Sequence, residues 1–139
     1  MSIAITVCRL LKHLYHIDIK DSAIVDSAGS HIWQGRMEKL TDNIYVDGAH
    51  NPQGIQSFVN SVNGMYADST DKAALLFSVV SDKNFEQMIS ILCGCKVFAR
   101  IAITVTGGIR HLDKEYISAA FKRHTDIEVE VYDLSLIHI

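Results

Sequence analysis

Short apolar runs alternate with segments of helical periodicity along most of this chain, and that alternation constrains the fold more than any other feature. Residues 44–46, 73–80 and 97–105 are predicted strands, and residues 127–132 alternate as a fourth. Three predicted helices lie between them, with apolar residues at Ile55, Phe58, Val59 and Val62, then Phe85, Met88, Ile89 and Leu92, then Ile117, Ala120 and Phe121. This order predicts an α/β fold with a mainly parallel sheet. The run 73–80 is almost wholly apolar, so we expect that strand to be covered on both faces.

The first thirty residues follow a different pattern. Residues 3–14 place apolar side chains at helical spacing, and Asp21 or Ser22 is a candidate cap for a short second helix through Val25. Residues 27–30 are predicted to be a loop. A chain that starts inside a helix suggests a piece of a longer protein. The pattern places a boundary between residues 1–32, the leading helices, and residues 33–139, the α/β unit. We attach no function to the tail, residues 134–139.

Composition and charge exclude several classes of protein. The chain is 48% hydrophobic and 21% charged, which fits a compact fold and argues against disorder. Its formal net charge of -3 gives no general attraction for nucleic acid. No apolar stretch approaches the ~18 residues of a membrane span, and the basic residues near the start follow the apolar ones, which is wrong for a secretory signal. We expect a cytoplasmic protein.

The three cysteines agree with that compartment. Cys8, Cys93 and Cys95 are too few, and odd in number, for a disulfide scaffold. Cys93 and Cys95 lack a second pair of ligands at zinc-binding spacing. We expect reduced thiols and no metal site.

Two polar motifs stand out in a chain that has no glycine-rich phosphate loop. Residues 33–38 read Trp-Gln-Gly-Arg-Met-Glu, and residues 47–52 read Asp-Gly-Ala-His-Asn-Pro at the carboxyl end of the first predicted strand. Ligands of open α/β sheets bind beyond the carboxyl ends of the strands. Pro52 suits the first turn of the next helix, whose amino terminus favours an anionic ligand. The sequence predicts a ligand site here, with the main phosphate-binding loop outside this chain.

These motifs resemble the folylpolyglutamate synthase/dihydrofolate synthase family of the Mur ligase superfamily. That family joins a Trp-Pro-Gly-Arg-Phe-Glu-like segment to an Asp-Gly-Ala-His-Asn-Pro loop, followed by an Asp-Lys-Asp/Asn loop. Residues 33–38, 47–52 and 81–84 give the same order here, with Gln34 in place of proline and Met37 in place of phenylalanine. The resemblance covers residues 3–133. It implies a Rossmann-like carboxyl-terminal domain, preceded by a short helical remnant of a central ATPase domain.

The resemblance also implies an activity. The family's enzymes are ATP-dependent ligases that phosphorylate a folate carboxylate and join it to L-glutamate through an amide. ATP and Mg²⁺ are the implied cofactors, with the magnesium ligands and the phosphate loop in the missing central domain. The implied partners are ATP, L-glutamate, folate and that central domain, on which this chain would pack. The chain alone would then be inactive.

The resemblance assigns roles to four residues. Arg36 would reach the ATP phosphates as a planar clamp, and Asp47 would accept hydrogen bonds from the ribose hydroxyls. His50 and Asn51 would complete the loop that faces the nucleotide and glutamate. Arg36 and His50 are the candidate catalytic residues.

Each role has a structural alternative. Arg36 would instead pair on the surface with Glu38 or Glu86, and Asp47 would be a turn residue before Gly48. His50 would be a structural loop histidine.

Other residues carry weaker signals. Trp33 is expected to pack at a hinge, and Asp82 and Lys83 are either a solvated pair or a substrate contact. Residues 107–110 are either a second ligand loop or a tight turn. Two other functions stay open, a muropeptide ligase domain and a non-catalytic Rossmann-like binding module. The His-Asn-Pro sequence after Gly-Ala favours folate over a muropeptide, and the start inside a helix argues against a free-standing module.

Overall fold

The computed structural model describes residues 3–30, 33–105 and 112–133, which form five helices and five strands in those ranges. In chain order these are α1 (Ile3–Tyr15), α2 (Asp21–Ser30), β1 (Glu38–Thr41), β2 (Ile44–Val46), α3 (Pro52–Met65), β3 (Ala73–Phe77), α4 (Phe85–Cys93), β4 (Phe98–Val105), α5 (Lys114–Lys122) and β5 (Val129–Asp133).

The centre of the fold is a parallel sheet with the order β3-β4-β5. Leu75 of β3 lies opposite Ile101 of β4, which lies opposite Val129 of β5. Parallel neighbours need a crossover between them, and α4 and α5 provide the two crossovers. The expected α/β fold with flanking helices is confirmed.

The core lies between one face of this sheet and the three helices α3, α4 and α5. The predicted helical spacing is confirmed, because nine of the eleven apolar helix residues are buried and the other two, Phe58 and Phe85, pack against the core. Leu75 and Phe77 point into this core, whereas Leu76 is 65% exposed. The expectation that the strand is covered on both faces is therefore wrong for β3, because its side chains alternate between the two faces and the outward-facing Ala74 and Leu76 are exposed.

The first predicted strand forms, but outside the parallel sheet. β2 pairs antiparallel with β1, with Thr41 opposite Ile44. The strand β1 was not predicted because it is mostly polar, with Leu40 as its one large apolar residue. The two-residue connection Asp42-Asn43 closes this hairpin at little cost in loop entropy, which favours the local pairing over a distant one.

The two leading helices contact each other but contribute little to the core. No residue of α1 is buried, and its apolar side chains Ile3, Val7, Leu10 and Leu14 are exposed. The predicted loop at residues 27–30 is wrong, since α2 continues through Ser30. Among the described residues, no helix is both long and apolar enough to cross a membrane.

Candidate functional site

The structure brings the two motifs together. The N–H of Gly48 donates to the carbonyl of Gly35 at 2.7 Å, and the N–H of Met37 donates to Oδ2 of Asp47 at 2.9 Å. Gly35 and Met37 both have positive φ angles, 67° and 45°, which turn the first motif back towards the second. The motifs therefore form one continuous surface, which we call the motif junction (residues 33–38 and 47–51).

Asp47 is the centre of the motif junction. Its Oδ1 accepts from the N–H of Ala49 at 2.8 Å while its Oδ2 accepts from Met37, and its side chain is only 12% exposed. The bond to Ala49 is that of a turn residue, so the structural alternative for Asp47 has a clear basis. The bond to Met37 goes further, because it joins the two motifs. Both carboxylate oxygens keep a second lone pair for a ligand.

The guanidinium of Arg36 lies beside Asp47 and over Gly48. Its Nη1 is 4.0 Å from Oδ1 of Asp47, and its side chain is 53% exposed. A side chain at Gly48 would place a Cβ 3.8 Å from this Nη1 and 3.3 Å from the Gly35 carbonyl, so glycine permits this close approach. The proposed surface partners are engaged elsewhere. Glu38 accepts from the N–H of Gly35, and Glu86 pairs with Arg123.

His50 and Asn51 connect the junction to helix α3. Nδ1 of His50 lies 2.8 Å from the carbonyl of Gly48, a contact that requires a proton on Nδ1. The neutral ring then presents Nε2 as an acceptor. Asn51 is the N-cap of α3, with Oδ1 accepting from the N–H of Gly54 at 2.8 Å, and Pro52 begins the helix as predicted.

A cavity of about 390 Å³ opens at the motif junction. Arg36, Asp47, His50 and Asn51 all line it, so the four predicted site residues share one space. Three further polar residues line it from α3: Gln53, Ser57 and Ser61. This polar stripe was not predicted from the sequence, although its spacing of four residues marks one helix face.

The weaker candidates lie outside this cavity. Trp33 is 71% exposed, and its expected packing at a hinge stays a prediction. Nζ of Lys83 lies 3.5 Å from Oδ2 of Asp82, which fits a solvated pair. Residues 107–110 and the tail 134–139 lie outside the described residues.

The cysteine thiols are free. Sγ of the buried Cys95 lies 3.4 Å from Oδ1 of Asn63, and burial raises the pKa of Cys93 to about 11. Among the described residues, no three His, Cys, Asp or Glu side chains group as a metal site.

Comparison with known proteins gives one consistent set of relatives. No protein-family model matches the chain. A dihydrofolate synthase/folylpolyglutamate synthase of Bacillus subtilis is 30% identical over 76 residues, covering 53% of this chain and 17% of that protein. A folylpolyglutamate synthase of Lacticaseibacillus casei is 32% identical over 63 residues, covering 44% of this chain and 14% of that protein. The chain thus spans about a sixth of the length of these curated relatives.

Two solved structures with a similar fold also carry the name folylpolyglutamate synthase. A folylpolyglutamate synthase of Mycobacterium tuberculosis complexed with ADP matches 88% of this chain and 27% of its own, with a TM-score of 0.68 and 21% identity. The folylpolyglutamate synthase of Thermotoga maritima matches 88% of this chain and 29% of its own, with a TM-score of 0.65 and 27% identity. The resemblance to the folylpolyglutamate synthase/dihydrofolate synthase family that the three motifs indicate is thus confirmed, with this chain similar to the carboxyl-terminal part of such an enzyme.

Proposed function

We propose that this chain supplies the carboxyl-terminal part of the ATP and glutamate site in an ATP-dependent ligase that adds L-glutamate to folate. The observation that carries the proposal is the motif junction, which gathers a guanidinium, a carboxylate, an imidazole and a helix amino terminus around one cavity. The names of the curated relatives support the ligase, and the ADP complex of the M. tuberculosis relative supports the nucleotide.

The proposed reaction has two steps. A folate carboxylate attacks the γ-phosphorus of ATP, which gives an acyl phosphate and releases ADP. The amine of L-glutamate then attacks the acyl carbon, an amide forms, and phosphate leaves. Positioning and charge neutralisation dominate phosphoryl transfer, so the contribution of this chain is to hold the nucleotide and stabilise its charge.

Arg36 is the proposed phosphate clamp. Its side chain is 53% exposed and lines a cavity that the amino terminus of α3 also lines. A planar group with five donors suits phosphate oxygens better than an ammonium does. The contact to Asp47 is long enough that the guanidinium remains available for a ligand.

The other three residues bind the remaining groups. Asp47 offers its second lone pairs to the ribose hydroxyls. His50 keeps Nε2 for a ligand, since Nδ1 contacts the Gly48 carbonyl, and we propose that it takes the proton that the glutamate amine loses. Asn51 commits its oxygen to the helix cap and has amide N–H groups to donate to a phosphate.

The missing central domain completes the proposed enzyme. The apolar stripe of α1, exposed here, belongs to the remnant of that domain, and we propose that it packs on the rest of the central domain. From the family resemblance, we propose that a magnesium ion bound with ATP takes its protein ligands from the central domain. The free cysteines fit a cytoplasmic enzyme.

The test compares two arginines in the full-length ligase. The side chains of Arg36 and Arg123 are equally exposed, at 53%, but Arg123 pairs with Glu86 outside the cavity. A hydrogen bond to a charged group is worth ~1.5–3 kcal/mol, so Arg36→Ala should lower kcat by about 10- to 150-fold. Arg36→Lys should recover little of this loss, and Arg123→Ala should keep wild-type constants.

The assay is phosphate release with ATP, L-glutamate and a reduced folate, and all three variants are checked for folding by circular dichroism. Equal kinetics in Arg36→Ala and Arg123→Ala would remove Arg36 from the site. Turnover with a muropeptide in place of folate would assign the other ligase class.

A further inference from the structure

Contacts of the Arg36 side chain do not explain how it is held in place. Its nearest charged partner is Asp47 at 4.0 Å, and the side chain is half exposed. An exposed pair at that distance orients a long side chain only weakly. The position of the guanidinium must therefore depend on the backbone that carries it.

That backbone is anchored on both sides of Arg36. The N–H of Gly35 donates to Oε2 of Glu38 at 2.7 Å, and the carbonyl of Gly35 accepts from Gly48. On the other side, the N–H of Met37 donates to Oδ2 of Asp47. Two carboxylates thus hold the peptide group between residues 36 and 37, next to Arg36, and the one between residues 34 and 35, one step before it, with charge-assisted bonds of the stronger kind.

The conformation between these anchors does not persist unaided. Met37 has a φ of 45°, which a residue with a side chain rarely adopts, and Gly35 has a φ of 67°. Such a backbone persists where its surroundings over-determine it. Without its anchors the turn would relax towards negative φ, and Arg36 would move with it.

We propose that Glu38, together with Asp47, is a positioning residue that fixes Arg36 for phosphate binding. This proposal rests on the proposed function. Glu38 does not line the cavity, so it touches no ligand and acts through the turn. Asp47 then has two roles: it binds the ribose hydroxyls, and it holds the turn through its hydrogen bond from Met37.

The test is a double-mutant cycle between Glu38 and Arg36 in the full-length ligase. A misplacement of about 1 Å can cost on the order of 100-fold in rate, so Glu38→Ala should lower kcat by at least about tenfold, with a smaller change in KM for ATP. Combining it with Arg36→Ala should cost nothing further, because the group that Glu38 positions is then gone. Glu38→Gln should stay within about threefold of wild type, since its amide oxygen still accepts from Gly35.

Lys39→Ala is the matched control. Lys39 is the next residue on β1 and pairs with Asp42 within the same hairpin, so its loss perturbs the hairpin but not the turn. It should keep wild-type kinetics.

Two outcomes would overturn the positioning role. One is a kcat within twofold of wild type in folded Glu38→Ala. The other is a loss in Glu38→Ala that multiplies with the loss in Arg36→Ala. The proposed function fails by a different result, an Arg36→Ala variant with wild-type kinetics.

Discussion

Asp47→Asn is the substitution that most directly probes the motif junction. The carboxylate accepts from two backbone N–H groups, Met37 on one oxygen and Ala49 on the other. An amide has one oxygen, so one backbone N–H would face an NH₂ group and lose its partner. A hydrogen bond to a charged acceptor is worth ~1.5–3 kcal/mol, and the 12% exposure of Asp47 leaves little water to replace it. A free-energy loss of 1.36 kcal/mol changes an equilibrium constant tenfold, so the equilibrium constant for opening this turn should rise by about 10- to 150-fold.

Amide hydrogen exchange followed by NMR on the 139-residue chain measures this opening at single residues. We expect faster exchange at the N–H groups of Met37 and Gly48, and unchanged exchange at Ile103 in the sheet core. Asp68→Asn, in the exposed loop after α3, is the control for the loss of one negative charge. Exchange rates at both Met37 and Ala49 that are the same in Asp47→Asn as in the wild type would refute the claim that the Asp47 carboxylate holds the motif junction together.

Three further predictions concern the core, the pH dependence and the activity. Ile103 is fully buried, so Ile103→Ala should lower the free energy of unfolding in urea by ~2–5 kcal/mol, whereas Leu76→Ala, 65% exposed, should change it by less than about 0.5 kcal/mol; similar losses would contradict the one-sided core. The pKa of Cys93 rises from 9.0 to about 11 on folding, so the unfolded chain ionises first, and stability should fall between pH 9 and about 11. The Cys93→Ala variant should show a shallower fall across that range, and equal slopes would contradict burial as the cause. The chain alone should release no phosphate from ATP with L-glutamate and a reduced folate, because the binding energy of one clamp and one ribose contact is small against an association cost of ~4–15 kcal/mol. Sustained, substrate-dependent turnover would show that the site needs no other domain.

The sequence predicted the helices well because their information is local. The apolar spacing of α3, α4 and α5 marks the residues that are buried, and Asn51 and Pro52 mark the point where α3 begins. The candidate site residues could also be found from the sequence, because they lie in two short motifs. These residues are Arg36, Asp47, His50 and Asn51.

What the sequence did not predict depends on long-range geometry. Nothing in Glu38–Thr41 has the alternation of a strand, so the hairpin with Ile44–Val46 was missed. Leu76 is as apolar as its buried neighbours Leu75 and Phe77, and only its place on the face of β3 that points away from the core leaves it exposed. The hydrogen bond from the N–H of Met37 to Asp47 depends on positive φ angles at Gly35 and Met37, and residue composition does not predict both of these angles.

The hairpin has a consequence for the order in which this chain folds. Met37 and Asp47 are separated by only ten residues, and a hairpin of this size forms in ~1–10 μs. The pairing of Leu75 with Ile101 instead joins two strands that are separated in sequence by helix α4, and such long-range pairing forms more slowly. The motif junction is therefore expected to assemble while the sheet is still forming, so that a substitution in the sheet slows folding without preventing Arg36 and Asp47 from meeting.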